Sequence, residues 1–563
     1  MALTRLSHSL DRLNPRYDVI VVGSGYGGGV AASRLARMGK RVCVLERGRE
    51  HLTGEFPSRF PDLKGAMQLH TAKGRTGPET ALYDVRIGAD MHVLVGCGLG
   101  GGSLVNAGVA LRPDPRVFAD EVWPGEIRQD GTLDEGYARA ERWIAPQSDP
   151  RADEMTKFQA LQSAGRGAGH ETIAPRVAVS FSERVNAAGI RQPACTRCGD
   201  CCGGCNVGAK NTVALSYLPD AVRHGAELFT CAKVSHLEKS ADGRWRVVVR
   251  RLDANDAGEV RVEADMVVLG AGTLGSTEIL LRSAARGLTL SDQLGKRFSA
   301  NGDIIAFGWG AKPAINAIGI GHPPKLEGVE IGAAVSGQIE IRDGHNLSHE
   351  LTVQEGVLPS AVAPALPLMF IPNGRLLGAL QSLISGVYKG PFAHLQTFFA
   401  VSHDSASGSF HLVDGRLALS WPDAGSEPAY ARLDAALTDL VTRSGGSYVK
   451  NPLAGTVMGR QPATAHPLGG CGMGRERAYG VVNHMGQVFD AAPGRASNAT
   501  HRGLYVVDGA VIPRSLGCNP LLTITALAER SLMHIAQSLG LSFSVDSWSG
   551  PVAGVLEPGA LRA

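Results

Sequence analysis

The apolar positions of this chain follow two patterns. Short β-branched or aromatic blocks bounded by glycine read as buried strands, and longer segments with apolar residues three and four apart read as helices. Residues 17–22, YDVIVV, form such a block, followed at once by GSGYGG and by the helical composition of VAASRLARMG, which stops at Gly39. RVCVLERG returns to strand and ends at Glu46. Strand, glycine turn, helix and strand thus follow one another within about 30 residues, the order of a βαβ unit. Residues 50–90 are polar and irregular, 91–112 are glycine-dense, and 113–190 read as helices and loops. LSYLPDAVRHGA predicts a helix entering the strand LFTCAKVSHLEKS. RWRVVVRRL and EVRVEADMVVLGAG predict further strands, and STEILLRSAAR a helix. Between 300 and 455, strand-like runs such as HELTVQEGV and HLQTFFAVSH alternate with proline-rich loops. The strand GLYVVDGAVI and the helix TITALAERSLMHIAQSLG follow, and 546–563 is a Pro/Gly-rich tail, read as a loose or docking extension.

Strands beside glycine turns recur in the first, middle and last thirds, and no internal repeat is visible. The expected fold is therefore α/β, with a Rossmann-like nucleotide domain assembled discontinuously from 15–112, 190–300 and 455–545. A second domain is expected from 113–189 and 301–454. A length of 563 residues exceeds one hydrophobic core and predicts two to four units. Apolar residues make up 44% and charged residues 19%, which excludes wholesale disorder, fibre and coiled coil. A formal charge of +3 leaves no footprint for nucleic acid. The 72 glycines, nearly twice the usual ~7%, point to tight turns and close approach of backbone to a ligand. Polar residues interrupt the N-terminal region before any stretch of signal-peptide length. The most apolar later stretch, Val357 to Ile371, is shorter than the about 20 residues that span a bilayer and contains Pro359, Pro364 and Pro367. The expectation is a cytoplasmic protein, with any membrane contact at the periphery.

Gly23, Gly25 and Gly28 form G-x-G-x-x-G between a strand and a helix. The first allows the tight turn, the second the approach of a pyrophosphate, and the third close packing of helix on strand. Glu46 ends the next strand about 20 residues on, where a carboxylate accepts hydrogen bonds from a ribose hydroxyl. A bound dinucleotide follows, and this fingerprint alone leaves FAD and NAD open. GCGLGGGSLVN, residues 96–106, is a second glycine-dense loop with Gly98, Gly102, Ser103 and Asn106 as candidate contacts; an extended FAD needs backbone beside its flavin. VVLGAGTLGSTEILLR supplies a third glycine turn at a strand end, at Gly272. TAHPLGGCGMG carries His466 among glycines, and VVDGAVIPRSLGCNPLL carries Asp508, Gly509, Asn519 and Pro520. An imidazole can remove an alcohol proton while a flavin takes hydride from the same carbon, and the Asn519 amide can hold the oxygen.

In this order, GSGYGG with Glu46, GCGLGGGSLVN, GAGTLGSTEILLR, HPLGGC and GLYVVDGAVIPRSLGCNPLLTITALAER resemble the glucose–methanol–choline (GMC) oxidoreductases, and within them the bacterial cholesterol oxidase branch. The resemblance implies non-covalent FAD, a substrate domain built on an antiparallel sheet, and oxidation of an alcohol by hydride transfer to the flavin. It implies His466 as the active-site histidine, Asn519 as its partner, and Asn106 and Gly102 as flavin contacts. Val234 corresponds to a backbone contact near the adenine. VQEGVLPSAVAP would make Glu355 the substrate-facing carboxylate that moves a proton in double-bond isomerisation.

One feature departs from that branch. Cys195, Cys198, Cys201, Cys202 and Cys205 crowd into ACTRCGDCCGGC, five of the ten cysteines. Near-adjacent cysteines make strained disulfides, and a reducing compartment disfavours them. The spacing C-x2-C-x2-C-x3-C at 195, 198, 201 and 205 is that of bacterial ferredoxins, and soft thiolates suit an iron–sulfur cluster or zinc. The cluster type, [3Fe–4S] or [4Fe–4S], and the choice between Cys202 and Cys205 as ligand stay open. The expected activity is oxidation of a bulky apolar alcohol, foremost a sterol, with electrons leaving through the cluster to a redox protein or quinone, or to oxygen. A long-chain alcohol or sugar dehydrogenase is the alternative within the family. Outside it stand a flavin and iron–sulfur electron-transfer or redox-sensing protein, and an NAD-linked dehydrogenase. The apolar stretch 357–388 is a candidate lining for a bulky pocket or a membrane-facing surface.

Overall fold

A computed structural model describes residues 5–253, 258–370, 382, 386–450 and 459–554. Its largest sheet has nine strands, drawn from the beginning, middle and end of the chain. At its centre Arg16–Val22 lies parallel to Val42–Leu45 on one side and to Glu259–Leu269 on the other, and the end of Glu259–Leu269 pairs in parallel with Thr500–Val506. Val19 to Val22 are buried on both faces, as a continuous β-branched run demands of a parallel strand. The first part of Glu259–Leu269 pairs instead with an antiparallel meander, Trp245–Arg251 and Ala232–Lys239. One long strand thus serves both a nucleotide-type sheet and a β-lobe at its side.

Two helices cover the parallel part. Tyr26–Arg37 buries its residues from Gly27 to Ala36, and it starts tight against the strands because of its glycines. A Cβ on Gly27 would stand 2.1 Å from the Val507 carbonyl oxygen, and one on Gly28 2.1 Å from that of Gly23. Leu521–Ser538 packs beside it, and the two are clamped by Arg34 and Glu529, both fully buried, with Arg34 Nε 3.0 Å from Glu529 Oε2. The guanidinium lies 4.5 Å from the Trp143 ring centroid. The helix that begins immediately after Asn519 and Pro520 is therefore anchored on the helix that begins at Gly25.

A second, six-stranded sheet is wholly antiparallel, in the order Ser447–Val449, Ile304–Trp309, Gln396–Val401, Leu351–Gly356, Gln338–Ile341, Thr172–Ile173. Helices Pro428–Arg443 and Thr156–Gly167 share its apolar core through Leu433, Leu437, Leu440, Leu161 and Ala164. The fold is the expected α/β architecture with an antiparallel second sheet.

Residues 113–189, assigned from sequence to the second domain as one piece, divide between the two cores. Val117, Phe118, Trp123, Ile127, Leu133, Tyr137 and Ile144 join the core of the nine-stranded sheet, whereas Thr156–Gly167 and Thr172–Ile173 join the antiparallel one. Amphipathic helices show which face is buried but not against what, so sequence pattern could not divide them. The tail docks as far as it is described: the Trp548 amide donates to the Ala187 carbonyl, and Ala553–Gly554 pairs with Ile190–Gln192. The start of the apolar stretch is core rather than open lining, since Phe370 packs on Phe307, Trp309 and Phe392 at centroid distances of 5.2–5.5 Å. Residues 371–381 and 383–385 of that stretch lie outside the described residues. Among the described residues, no helix is long and apolar enough to cross a membrane.

Candidate active site

Arg16–Val22, Val42–Leu45, Glu259–Leu269 and Thr500–Val506 are mutually parallel, so their carboxyl ends lie along one edge of the sheet. There the chain continues as Gly23–Gly28, Glu46, Gly270–Gly272 and Val507–Gly509. In open α/β sheets ligands bind at that edge. Glu46 accepts from the Ser24 amide at 3.1 Å, the Ser24 hydroxyl at 2.7 Å and the Gly48 amide at 2.8 Å, which holds the carboxylate over the glycine turn. Burial raises its pKa against those donors. Asp508 accepts from the amides of Gly272 and Ala510 and from the Ser276 hydroxyl, joining the third and fourth stretches.

The second glycine loop lies on the first. A Cβ on Gly101 would stand 2.7 Å from Gly25 Cα, and the Gly100 amide donates to Ser24 Oγ at 2.9 Å. Gly98 and Ser103 hold this loop in shape: the Gly98 carbonyl accepts from Ser24 Oγ, and Ser103 Oγ donates to the Gly100 carbonyl while accepting from the Val213 amide. The free side is equally informative. A Cβ on Gly102 or Gly272 would meet nothing within 4 Å. Asn106 Nδ2 donates to Tyr26 Oη at 2.8 Å, while Asn106 Oδ1 is buried with no hydrogen-bond partner. Val234 follows Ala232, whose amide donates to the Glu46 carbonyl, and so stands near the end where an adenosine would lie. Bare backbone facing open space, a buried acceptor lacking a donor and a carboxylate at the strand end fit an extended FAD.

Asp508 also sets a pH dependence. Burial lifts its pKa to about 6 despite three donors. A folded pKa above the unfolded one contributes stability that is complete below about 4 and lost as pH rises through about 6. In FAD-free protein, Asp508→Asn is expected to flatten the fall in stability between these limits, read by urea titration at several pH values. An unaltered slope would contradict the assignment.

His466 and Asn519 come together although 53 residues separate them: His466 Nε2 and Asn519 Nδ2 are 3.5 Å apart. Three polar residues not recognised from the sequence assemble the pair. Asp303 Oδ2 lies 3.2 Å from His466 Nδ1, off the line of an ideal hydrogen bond, and accepts from the Ala465 amide and the Thr464 hydroxyl. Gln354 Nε2 donates to Asn519 Oδ1 at 2.8 Å, which turns the Asn519 amide nitrogen toward the imidazole. Asn301 clamps the loop before Asn519, its Oδ1 accepting from the amides of Leu516 and Gly517 and its Nδ2 donating to the Cys518 carbonyl. The His466 segment is tied to the same loop, the Gly469 amide donating to the Gly509 carbonyl and the Cys471 amide to that of Ala510. A carboxylate at Nδ1 favours the tautomer with its proton there, leaving the Nε2 lone pair facing the site. Asp303→Asn is expected to slow turnover about 10–100-fold, the scale on which carboxylates that orient metal-bound histidines act, with KM little changed. Loss of KM alone would refute that role.

Glu355 is not brought to this pair. It shares a strand with Gln354, and successive side chains on a strand point to opposite faces. Gln354 and Thr352 reach the loop at 517–519. Glu355 turns the other way, fully buried, and accepts from Lys157 Nζ at 2.7 and 2.8 Å and from the amides of Ser336 and Gly337. The substrate-facing carboxylate expected from sequence is thus a buried ion pair, and Gln354 is the residue of that strand that reaches the site.

The five clustered cysteines are free thiols on one loop. Lys210 Nζ, fully buried, donates to the carbonyls of Cys201, Leu104 and Asn106 and so ties that loop to the second glycine loop. A cavity lined in part by Leu104, Cys205 and Lys210 opens beside this junction; neither His466 nor Asn519 lines it.

Family models for the GMC oxidoreductases match residues 17–300, half of the chain by themselves, and residues 453–528. The chain belongs to the GMC oxidoreductase family. It is an FAD-dependent enzyme acting on alcohols. This GMC oxidoreductase is 26% identical to the cholesterol oxidase of Mycobacterium tuberculosis (strain CDC 1551 / Oshkosh) over 92% of its own length and 91% of that protein. It is also 26% identical to the cholesterol oxidase of Acinetobacter baumannii, over 93% and 95% of the two chains. With long-chain-alcohol oxidase FAO3 of Arabidopsis thaliana the identity is 23%, over 95% of this chain and 70% of the other. The fold matches the crystal structure of pyridoxine 4-oxidase from Mesorbium loti with a TM-score of 0.58 at 18% identity, over 92% of this chain and 99% of that one.

Proposed function

We propose that this enzyme oxidises the hydroxyl of a bulky apolar alcohol, foremost a sterol 3-hydroxyl, to the carbonyl. The observation that carries the reading is the His466–Asn519 pair, with Asp303 Oδ2 3.2 Å behind the ring's Nδ1 and the Asn519 amide held by Gln354. A substrate hydroxyl placed between the imidazole Nε2 and the Asn519 amide would give its proton to the ring and keep its oxygen on the amide N–H. Bound FAD supplies the two-electron acceptor for the hydride leaving the same carbon. Gly23, Gly25, Gly28, Glu46, Gly102, Asn106, Gly272, Asp508 and Gly509 would hold it, with Asn106 Oδ1 offered to a ring N–H and Asn519–Pro520 at the start of the helix beside it. The sterol preference is supported by two relatives named cholesterol oxidase.

A long-chain alcohol is the second reading, favoured by the relative named for such a substrate. Electrons are proposed to leave through an iron–sulfur centre on the cysteine loop, to a redox protein, a quinone or oxygen. A cytoplasmic location, with peripheral contact near the apolar stretch, goes with a lipid substrate. The test is anaerobic titration of the yellow holoenzyme with sterols, fatty alcohols and sugars while the visible spectrum is followed. Bleaching by sterols supports the first reading and bleaching by fatty alcohols alone the second. A flavin untouched by every alcohol but reduced by a redox protein would replace both with an electron-transfer role.

A further inference from the structure

We infer that Asp404 is a positioning residue for the alcohol oxidation: its carboxylate fixes the 299–303 turn, and through that turn it sets both members of the His466–Asn519 pair. On the reading of that pair as the reacting site, Asp404 is the group that holds its two halves, 53 residues apart in the chain, at their working distance.

The turn has an uncommon backbone. Asn301 and Gly302 are consecutive residues in the left-handed region, at φ 57° and 54°. Glycine takes that conformation freely and asparagine at some cost. Gly302 is also pressed against the chain behind it, since a Cβ there would stand 2.7 Å from the Ser402 carbonyl carbon. Backbone of this kind persists where its surroundings over-determine it, and such places cluster at functional sites. Here a single buried carboxylate does so. Asp404 Oδ2 accepts from the Gly302 backbone amide at 2.9 Å, and Oδ1 accepts from the Ser299 hydroxyl at 2.7 Å and the Ala406 amide at 3.0 Å. Ser299 Oγ accepts in turn from the Asn301 backbone amide at 3.0 Å. The amides of both left-handed residues are thus satisfied by Asp404, one directly and one through a hydroxyl.

The turn reaches both sides of the pair. Ser299 and Leu468 exchange backbone hydrogen bonds of 3.0 and 2.9 Å, which stitches the turn to the His466 segment, and Asp303 at its end stands behind the imidazole. On the other side, the side-chain amide of Asn301 bonds to Leu516, Gly517 and Cys518, just before Asn519. The segment that carries Asp404 also touches that loop directly. Ser515 Oγ donates to the Asp404 carbonyl at 3.3 Å, and the His403 ring occupies the space beside Gly517, where a Cβ would stand 2.2 Å from His403 Nε2. Burial drives the pKa of His403 down to about 4, so its neutral ring adds no charge beside the carboxylate. Residues 402–404 follow directly on Gln396–Val401, the strand paired with Leu351–Gly356. The sheet that presents Gln354 to Asn519 therefore presents Asp404 to the turn as well.

What this carboxylate supplies is geometry. Its three donors are neutral, and burial, with Glu427 nearby, lifts its pKa to about 6 against them. Tyr430, on the helix Pro428–Arg443, lies beside the same charge. A group whose folded pKa is raised this far favours the fold at low pH and weakens it once ionised above about 6. The ionised form is nevertheless the one that accepts from all three donors at once, and it leaves both amides of the turn in place.

The experiment is a double-mutant cycle on full-length holoenzyme, read by anaerobic stopped-flow reduction of the flavin at a pH well above 6, where Asp404 is ionised. Cholesterol is the probe, or dodecanol if only fatty alcohols bleach the wild type. Asp404→Asn replaces one acceptor by a donor facing the turn. It is expected to slow reduction at saturating alcohol about 10²-fold, the scale on which a misplacement of about 1 Å acts. FAD content, the flavin midpoint potential and the alcohol's dissociation constant should stay close to wild type. Added to Asp303→Asn, the same substitution should cost several-fold less than it does alone, because part of its effect passes through Asp303. Equal costs in the two backgrounds, or a loss confined to alcohol affinity or FAD content, would overturn the positioning role. If Asp404→Asn does not fold, Ser299→Ala removes only the hydroxyl that reaches the Asn301 backbone amide. It should slow reduction in the same sense with FAD retained, again less in the Asp303→Asn background; wild-type rates in Ser299→Ala would overturn the role equally. Wild-type flavin that no alcohol reduces would sink the reading of His466 and Asn519 itself. Flavin that alcohol reduces equally fast in wild type and Asp404→Asn would sink Asp404 alone.

Discussion

Replacing His466 by Gln is expected to slow anaerobic reduction of the flavin by its alcohol by about 10²–10⁴-fold, the usual contribution of a positioned general base. FAD content and unfolding temperature should stay close to wild type. The side chain is mostly buried, but its ring nitrogens carry no buried load beyond the Asp303 contact. Its backbone is held independently, the His466 amide donating to Thr464 Oγ1 and the amides of Gly469, Cys471 and Met473 donating to the carbonyls of Gly509, Ala510 and Val511. Gln keeps a polar group near Asn519 and removes the basic lone pair, so the variant separates proton removal from packing. Stopped-flow absorbance with saturating substrate reads the step directly. Wild-type reduction rates in this variant would take His466 out of the mechanism.

Glu355→Gln should act on a different quantity. Lys157 is 1% exposed and Glu355 0%, and the Lys157 ammonium has Glu355 and the Ser336 hydroxyl as its hydrogen-bond partners. Removing the carboxylate's charge leaves a buried ammonium uncompensated, at a cost of about 3–5 kcal/mol. The urea midpoint should fall accordingly, while flavin reduction in the folded fraction changes by no more than a few-fold. Lys157→Met combined with Glu355→Gln should recover much of the loss, because it removes the uncompensated ammonium while the Gln carbonyl oxygen still accepts from the Ser336 and Gly337 amides. A stable Glu355→Gln protein with a crippled reaction would return Glu355 to the role its sequence context suggested.

The two variants show where sequence reasoning reaches. His466 stands out as a candidate in the sequence because glycines crowd it on a short segment, and Gly23, Gly25, Gly28 and Glu46 because strand, turn, helix and strand are contiguous. Glu355 was misread by one position of strand phase: VQEG does not say which face meets the site, and the paired strands Gln338–Ile341 and Gln396–Val401 decide it. Asp303, Asn301 and Gln354 had no local signal. Each is an ordinary polar residue in a turn or strand, and the Gln354 bond to Asn519 spans 165 residues of chain. Lys210 lies within GAKNT five residues after the last clustered cysteine, yet nothing local shows that its ammonium ends on carbonyls 104 and 106 residues earlier in the chain.

By itself, then, the order of apolar blocks and glycines determined a parallel nucleotide sheet built from three separated segments, and the residue types around which chemistry would gather. Those features depend on period and on contiguous turns, which a linear chain displays. Tertiary structure decided which carboxylate faces the imidazole and which core the 113–189 helices join. These follow from strand phase and from contacts between distant segments, set by burial of whole faces rather than by any short run of residues.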